Sequence, residues 1–252
     1  MKLTDKERIR YSRHLLVPDI GEVGQLQLKS AHVVVVGCGG LGSPALLYLA
    51  ASGIGRLTLI DDDTVELSNL QRQILFKVSH LGQQKAKAAQ KVLANLNNDI
   101  VLQAHVAKVS SDTIASCLSG ADCVLDCSDN FSTRYLINRF CQSKKIPLVA
   151  GAAQGTSGQV MAFDFRMESA CYECLFPRHS TEEPASRAVN CDTLGVLSPL
   201  LGVIGSQQVI LCLQIILGAN KPSHVAFFDG QSLAQQVFQL QKDPHCVCCG
   251  SY

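Results

Sequence analysis

From residue 31 onward the chain alternates short apolar runs with longer segments of helical period. The runs at 32–36 (HVVVV), 56–61 (RLTLID), 100–106 (IVLQAHV), 123–127 (CVLDC) and 147–152 (PLVAGA) read as strands. Helices are expected near 41–52, 83–96, 111–118 and 131–143, and an amphipathic helix near 5–16 precedes the series. Strands that are apolar almost throughout, separated by helices, predict an α/β fold with a mostly parallel sheet covered on both faces. Ligands of such sheets bind beyond the C-terminal ends of the strands.

The second half follows a different pattern. SGQVMAFDF and HVAFFDGQSLAQQVFQL read as antiparallel strands on either side of a long apolar helix. No charged residue occurs from Thr193 to Ala219, a stretch long enough to cross a bilayer. Pro199, Ser206, Gln207 and Gln208 interrupt it, and no second such stretch accompanies it, so a buried globular helix is expected instead. The polar, proline-containing stretch 176–192 reads as a mobile loop.

Composition narrows the function classes. A net charge of +1 with 17% charged residues provides no global field for nucleic acid or an anionic membrane. The charged N-terminus lacks the apolar core of a secretory signal, which points to the cytoplasm. In that reducing compartment the 12 cysteines are expected to be packing residues, metal ligands or reactive thiols rather than disulfides.

The stretch VVVVGCGGLGSPA (33–45) carries Gly37-x-Gly39-x-x-Gly42 between a strand and a helix, the pattern of a Rossmann-like phosphate cradle. Gly37 permits the turn, Gly39 lets backbone approach a phosphate, and Gly42 permits close packing as the helix begins. Asp61 ends the second strand, where an acid hydrogen-bonds a ribose; so far NAD, FAD and ATP fit equally. Asn69, Arg72 and Gln73 follow in the next loop, where an arginine can fork two phosphate oxygens and stabilise a departing pyrophosphate. Lys85 reads either as a second cation or as an exposed helix lysine. Asp129 reads either as a magnesium ligand or as the cap of the helix that starts near Phe131.

Cys171-x-x-Cys174 and Cys246-x-x-Cys249 have the spacing by which thiolate pairs chelate a metal, and four together suit a structural zinc. Cys248 lies too close to Cys246 to copy the other pair and is left as a spare thiol. Cys38, Cys117, Cys123, Cys127, Cys141 and Cys212 fall in or beside predicted elements and read as packing.

Taken in order, RYSRHLL, VVVVGCGGLGSPALLYLAASGIG, LIDDDTVELSNLQRQILF, LDCSDN, CYECLFP, GVLSPLLGVIGSQQ, FFDG and CVCCG make the chain resemble the ThiF/MoeB/HesA family, bacterial relatives of the ubiquitin-activating enzymes. That resemblance implies adenylylation of the C-terminal glycine of a small ubiquitin-like sulfur carrier protein, of ThiS or MoaD type, using ATP and magnesium. It implies that Gly39, Gly40 and Gly42 belong to the phosphate loop, and that Asp61 contacts the ribose. Asn69, Arg72, Gln73 and Lys85 become triphosphate contacts, Asp129 a magnesium ligand, and the four paired cysteines a zinc site. Arg13, a surface helix residue on its own, would reach the ATP site of the other subunit in a homodimer. Cys191 matches the thiol that bonds the carrier tail or its sulfur in thiamine-pathway members, with an inert thiol as the alternative.

SNLQRQILF, CYECLFP and FFDGQS look closer to the thiazole branch and GVLSPLLGVIGS to the molybdopterin branch. QQVILCLQIILG departs from both, since relatives usually carry Glu-Ala-x-Lys there. No rhodanese-like extension follows the cysteine tail, so a separate protein is expected to deliver sulfur. The whole chain is expected to be one adenylation domain: N-terminal helices at 1–30, a nucleotide-binding half at 31–152, and a carrier-binding and zinc half at 153–252. An NAD-dependent oxidoreductase and a non-catalytic carrier-binding scaffold are the rival readings.

Overall fold

The computed structural model describes residues 2–178, 195–219 and 223–250. Eight strands form one sheet: β1 (His32–Val36), β2 (Arg56–Ile60), β3 (Val101–His105), β4 (Cys123–Asp126), β5 (Leu148–Gln154), β6 (Ser157–Phe163), β7 (His224–Asp229) and β8 (Gln235–Gln239). Their order is β3-β2-β1-β4-β5-β6-β7-β8. The first five are parallel, and β6, β7 and β8 extend the sheet antiparallel. This is the mixed, mostly parallel architecture expected from the sequence.

The register places the site. Val36 pairs with both Ile60 and Asp126, so β1, β2 and β4 end level and Gly37, Asp61 and Cys127 emerge side by side. β1 alternates between two cores. Val33 and Val35 join the cluster formed with α4 (Gly42–Ser52) and the long helix, while Val34 and Val36 join the cluster formed with α6 (Ile114–Leu118) and α7 (Phe131–Lys144). Burial on both faces explains why the four valines of the strand run without polar alternation. The edge strand β3 instead alternates exposed and half-buried residues.

The apolar stretch forms the long helix, numbered here α9 (Ser198–Ile216) after α5 (Lys85–Leu96) and the short α8 (Tyr172–Leu175). With a mean hydropathy of 1.7 it is apolar enough to span a membrane, yet it packs on α4, β5 and β6. At Gly205 an added Cβ would lie 2.7 Å from the Leu41 carbonyl, so the two helices meet backbone to backbone. The polar interruption has a structural use: Gln208 is fully buried, and its Nε2 donates to the carbonyls of Asp126 at 3.0 Å and Val149 at 3.4 Å. A side chain thus ties the helix to the end of β4 and to the start of β5.

The N-terminal segment departs from the single helix expected at 5–16. It breaks at Tyr11 into α1 (Asp5–Arg10) and α2 (Ser12–Leu15). Tyr11 is buried, its ring lying against Gly53 and its hydroxyl accepting from Asn97 Nδ2 at 2.9 Å, so tertiary packing overrides the helical period. α3 (Gly21–Ser30) is a further helix within the segment 1–30, although its glycines lower helix propensity. At Gly24 a Cβ would lie 2.9 Å from Leu217, and that close packing fixes the helix.

His32 closes the base of the sheet, with Nδ1 2.9 Å from the Gly120 carbonyl and Nε2 2.9 Å from Thr58 Oγ1. Burial, the largest influence, pushes its pKa below the usual 6.5. The unfolded chain therefore binds this proton more tightly than the fold, and stability is lost as pH falls from 6.5 through the lowered value. His32→Gln should flatten the fall in urea midpoint between about pH 7.5 and 5.5, near the titration range of histidine; an unchanged slope would exclude His32 as its source.

Candidate active site

A cleft of about 860 Å³ opens at the C-terminal ends of the parallel strands. Gly37 turns the chain off β1 with φ +93°, and a Cβ on Gly42 would lie 2.0 Å from the Gly37 carbonyl. Only glycine lets α4 begin that close to the strand. Gly39 and Gly40 line the cleft; Gly42 does not, and its part is this close packing.

Asp61 lies in the same cleft wall. Its carboxylate accepts from Cys38 N at 2.7 Å and from Asp63 N at 2.9 Å. Burial pushes its pKa up, while these two N–H groups and Lys85 oppose the rise. The Cys38 and Cys127 thiols beside it are also pushed up by burial, so neither is a ready nucleophile, and both pack as expected.

Lys85 does not read as an exposed helix lysine in the structure. It is 6% exposed, lines the cleft, and its Nζ lies 2.9 Å from Asp63 Oδ2. Sequence reasoning missed Asp63, which serves both groups: its N–H holds Asp61 and its carboxylate holds Lys85. Arg72 lines the cleft and donates from Nη1 to the Ser68 carbonyl at 3.0 Å. Gln73 is buried at the cleft beside Gly39, and its Oε1 has no hydrogen-bond partner among the described residues. Asn69 is buried in the same turn, outside the cleft lining, with Oδ1 accepting from Glu66 N at 3.3 Å.

Asp129 is not the helix cap. Asn130 takes that place, accepting from Thr133 N at 2.9 Å, which leaves Asp129 exposed in the cleft with one hydrogen bond to Asn130 Nδ2. A single free carboxylate fits magnesium, which keeps most of its waters and takes one or two protein ligands. Arg13 is exposed on α2 and does not line its own chain's cleft. Cys191 and most of the 176–192 loop lie outside the described residues. Arg134, Tyr172 and Phe176 also line the cleft and had no local sequence signal, being far apart in the chain.

A second cluster lies behind this wall. The Sγ atoms of Cys171, Cys174, Cys246 and Cys249 all lie within 4.8 Å of one another. Cys171 to Cys246 is 3.6 Å, Cys174 to Cys249 3.3 Å and Cys171 to Cys174 3.9 Å. A tetrahedron with Zn–S bonds of about 2.3 Å has sulfur–sulfur edges of about 3.8 Å, so the donor set fits zinc. Backbone N–H groups of Cys171 and Asp243 point at Cys174 Sγ, as outer-shell donors do for metal thiolates. Cys248 is outside the set, 3.3 Å from Asn138 Nδ2.

The ThiF family model matches residues 11–248. The chain is 39% identical over 249 residues to the sulfur carrier protein ThiS adenylyltransferase of Escherichia coli (strain K12), covering 98% of this chain and 97% of that protein. It is 38% identical over 251 residues to the molybdopterin-synthase adenylyltransferase of Salmonella typhimurium, covering 99% of each. It is also 41% identical to the adenylyltransferase and sulfurtransferase MOCS3 of Anopheles gambiae, of which it spans 56%. In structure it resembles E. coli MccB with ATP at a TM-score of 0.81 and 23% identity, over 96% of this chain and 75% of that one, a likeness of fold.

Metal analysis tests the choice among the tail cysteines. Cys248→Ser should keep about one zinc per chain, whereas Cys249→Ser should lose most of it and lower the melting temperature. The reverse pattern would reassign the ligand.

Proposed function

The chain belongs to the ThiF family, and on that premise we propose that it adenylylates the C-terminal glycine of a ubiquitin-like sulfur carrier protein, releasing pyrophosphate. The observation that carries this reading is that the glycine turn, Asp61, Arg72, Lys85 and Asp129 all line one cleft. An oxidoreductase would leave the two cations without a task, and similarity to adenylyltransferases along almost the entire chain favours nucleotidyl transfer.

In the proposed reaction a carboxylate oxygen of the carrier attacks the α-phosphorus of ATP and pyrophosphate leaves in line. Both reactants are anionic, so the protein's task is to bring them together and to stabilise charge on the leaving group. Asp61 binds the ribose, the N–H groups of the Gly39–Gly40 turn and the start of α4 bind phosphate, and Arg72 and Lys85 neutralise the triphosphate. Asn69 and Gln73 support them. Asp129 would hold magnesium, which supplies further charge neutralisation when bound. Arg13 is absent from its own cleft lining, and we assign it to the cleft of a second copy in a homodimer.

Within one adenylation domain, residues 31–152 form the nucleotide half, and residues 153–252 the carrier-binding and zinc half. The reading puts the enzyme in the cytoplasm. The relatives divide between the ThiS and molybdopterin branches at 39% and 38% identity, so both carrier types belong in the assay.

Arg72→Ala should lower carrier-dependent exchange of pyrophosphate into ATP by about 100-fold or more, the cost of removing one transition-state charge partner. Unchanged exchange would remove Arg72 from the mechanism. We further assign Cys191 as the thiol that bonds the carrier tail or its sulfur. Its alkylation by iodoacetamide should slow when ATP and carrier are bound; full sulfur transfer by Cys191→Ser in the assembled pathway would exclude that role.

A further inference from the structure

Arg134 enters the cleft from the first turn of α7 and is only 6% exposed. Its Nη2 donates to the Ser128 carbonyl and, at 2.8 Å, to the Gly151 carbonyl, holding together the segments that leave β4 and run along β5. Its Nη1 is buried without a hydrogen-bond partner among the described residues. Among the described residues no carboxylate forms an ion pair with this guanidinium. A buried cation without a counter-charge is unfavourable, and an arriving anion relieves it.

Its position indicates which anion. Arg72 and Lys85 come from the loop after β2 and the start of α5, on the glycine-turn side of the cleft. Arg134 lies beyond β4 and is bonded to β5, on the side where the cleft continues to Gln154, Ser157, Tyr172 and Phe227. The nucleotide fills the first side, so a second reactant has to approach from the other.

We infer that Arg134 binds the carboxylate of the carrier's C-terminal residue, as an acyl-group site distinct from the triphosphate cations. The inference rests on the adenylylation reading. Nη2 belongs to both forked edges of the guanidinium and is committed to backbone carbonyls, so neither edge can grip a carboxylate with two bonds; Nη1 holds one carboxylate oxygen and the other stays available as the nucleophile. A two-pronged grip would tie up both oxygens. As the free oxygen bonds the α-phosphorus, the bond from that phosphorus to the bridging oxygen breaks and pyrophosphate departs. Nη1 remains on what has become the acyl carbonyl oxygen.

The test uses a carrier ending in two glycines and the same carrier made as its C-terminal amide. Both are titrated against the full-length enzyme saturated with an ATP analogue carrying a methylene bridge between the α- and β-phosphates, so that Arg72 and Lys85 are occupied. Wild type should bind the acid about tenfold or more tighter than the amide, the scale of one charge-assisted hydrogen bond. Arg134→Gln should bind both forms alike while keeping its affinity for the analogue. A purely structural Arg134 would weaken acid and amide equally and leave the preference intact, which overturns the inference. Should Arg134→Gln fail to fold, the wild-type ratio decides, and equal binding of acid and amide overturns it. Carrier-dependent pyrophosphate exchange by wild type tests the reaction separately: its absence would sink the adenylylation reading, while a carboxylate preference lost in Arg134→Gln would stand.

Discussion

The cleft exists because the first turn of α4 sits against the end of β1 with no side chain between them. At Gly42 a Cβ would stand 2.0 Å from the Gly37 carbonyl, and at Gly37 it would stand 2.7 Å from the Cys127 carbonyl. Three backbone segments therefore meet where β1 and β4 end, and any larger residue would push α4 outward and tilt its N–H groups away from the crevice. The level ends of β1, β2 and β4 then bring Asp61 and the Asp129 loop to the same rim. From below, Gln208 ties α9 to the Asp126 and Val149 carbonyls, so the floor is hydrogen-bonded as well as packed.

On this frame the charges are divided between the two sides of the cleft. Lys85 is buried and would be unfavourable there alone, but Asp63 pairs with it from an exposed position. An exposed partner is hydrated and can yield the lysine to a stronger anion at small cost. The Asp63 N–H also holds Asp61, so a single residue aligns the Asp61 carboxylate and the Lys85 ammonium. On the opposite side Arg134 has carbonyl partners and, among the described residues, no acid in ion-pair contact, which keeps its charge for whatever enters. The positive potential is thus arranged before any ligand arrives, which is where electrostatic catalysis gains most.

The legible parts of this molecule were those written in local sequence. Four consecutive valines announce a strand buried on both faces, the glycines announce the turn that follows, and two Cys-x-x-Cys pairs announce the cluster of four sulfurs. The choice of Cys249 over Cys248, made on spacing alone, agrees with the four sulfurs that converge. What stayed hidden depends on contacts between distant residues. Nothing near Lys85 reveals that Asp63, 22 positions earlier, draws it into the wall. Nothing near Tyr11 reveals the pocket by Gly53 and Asn97 that breaks its helix. Arg134 reads as one more polar residue on a helix until the fold places it between the carbonyls of Ser128 and Gly151.

The four-cysteine cluster and the cleft are not independent, because α7 belongs to both. Its cap, Asn130, and its first-turn residue Arg134 face the cleft. One turn further on, about 6 Å along the axis, Asn138 accepts from Tyr172 N at 2.9 Å, and Arg139 forks the buried Glu173 with two bonds of 2.8 Å. Tyr172 and Glu173 lie between the ligand pair Cys171 and Cys174, and the Tyr172 ring itself lines the cleft, its hydroxyl pKa pushed up to about 12 chiefly by burial. Gathering the four thiolates therefore fixes Tyr172, and through Asn138 the axial position of α7, which sets where Arg134 enters. A sulfur cluster remote from the glycine turn is thereby coupled to the Arg134 side of the cleft, through one helix and one tyrosine.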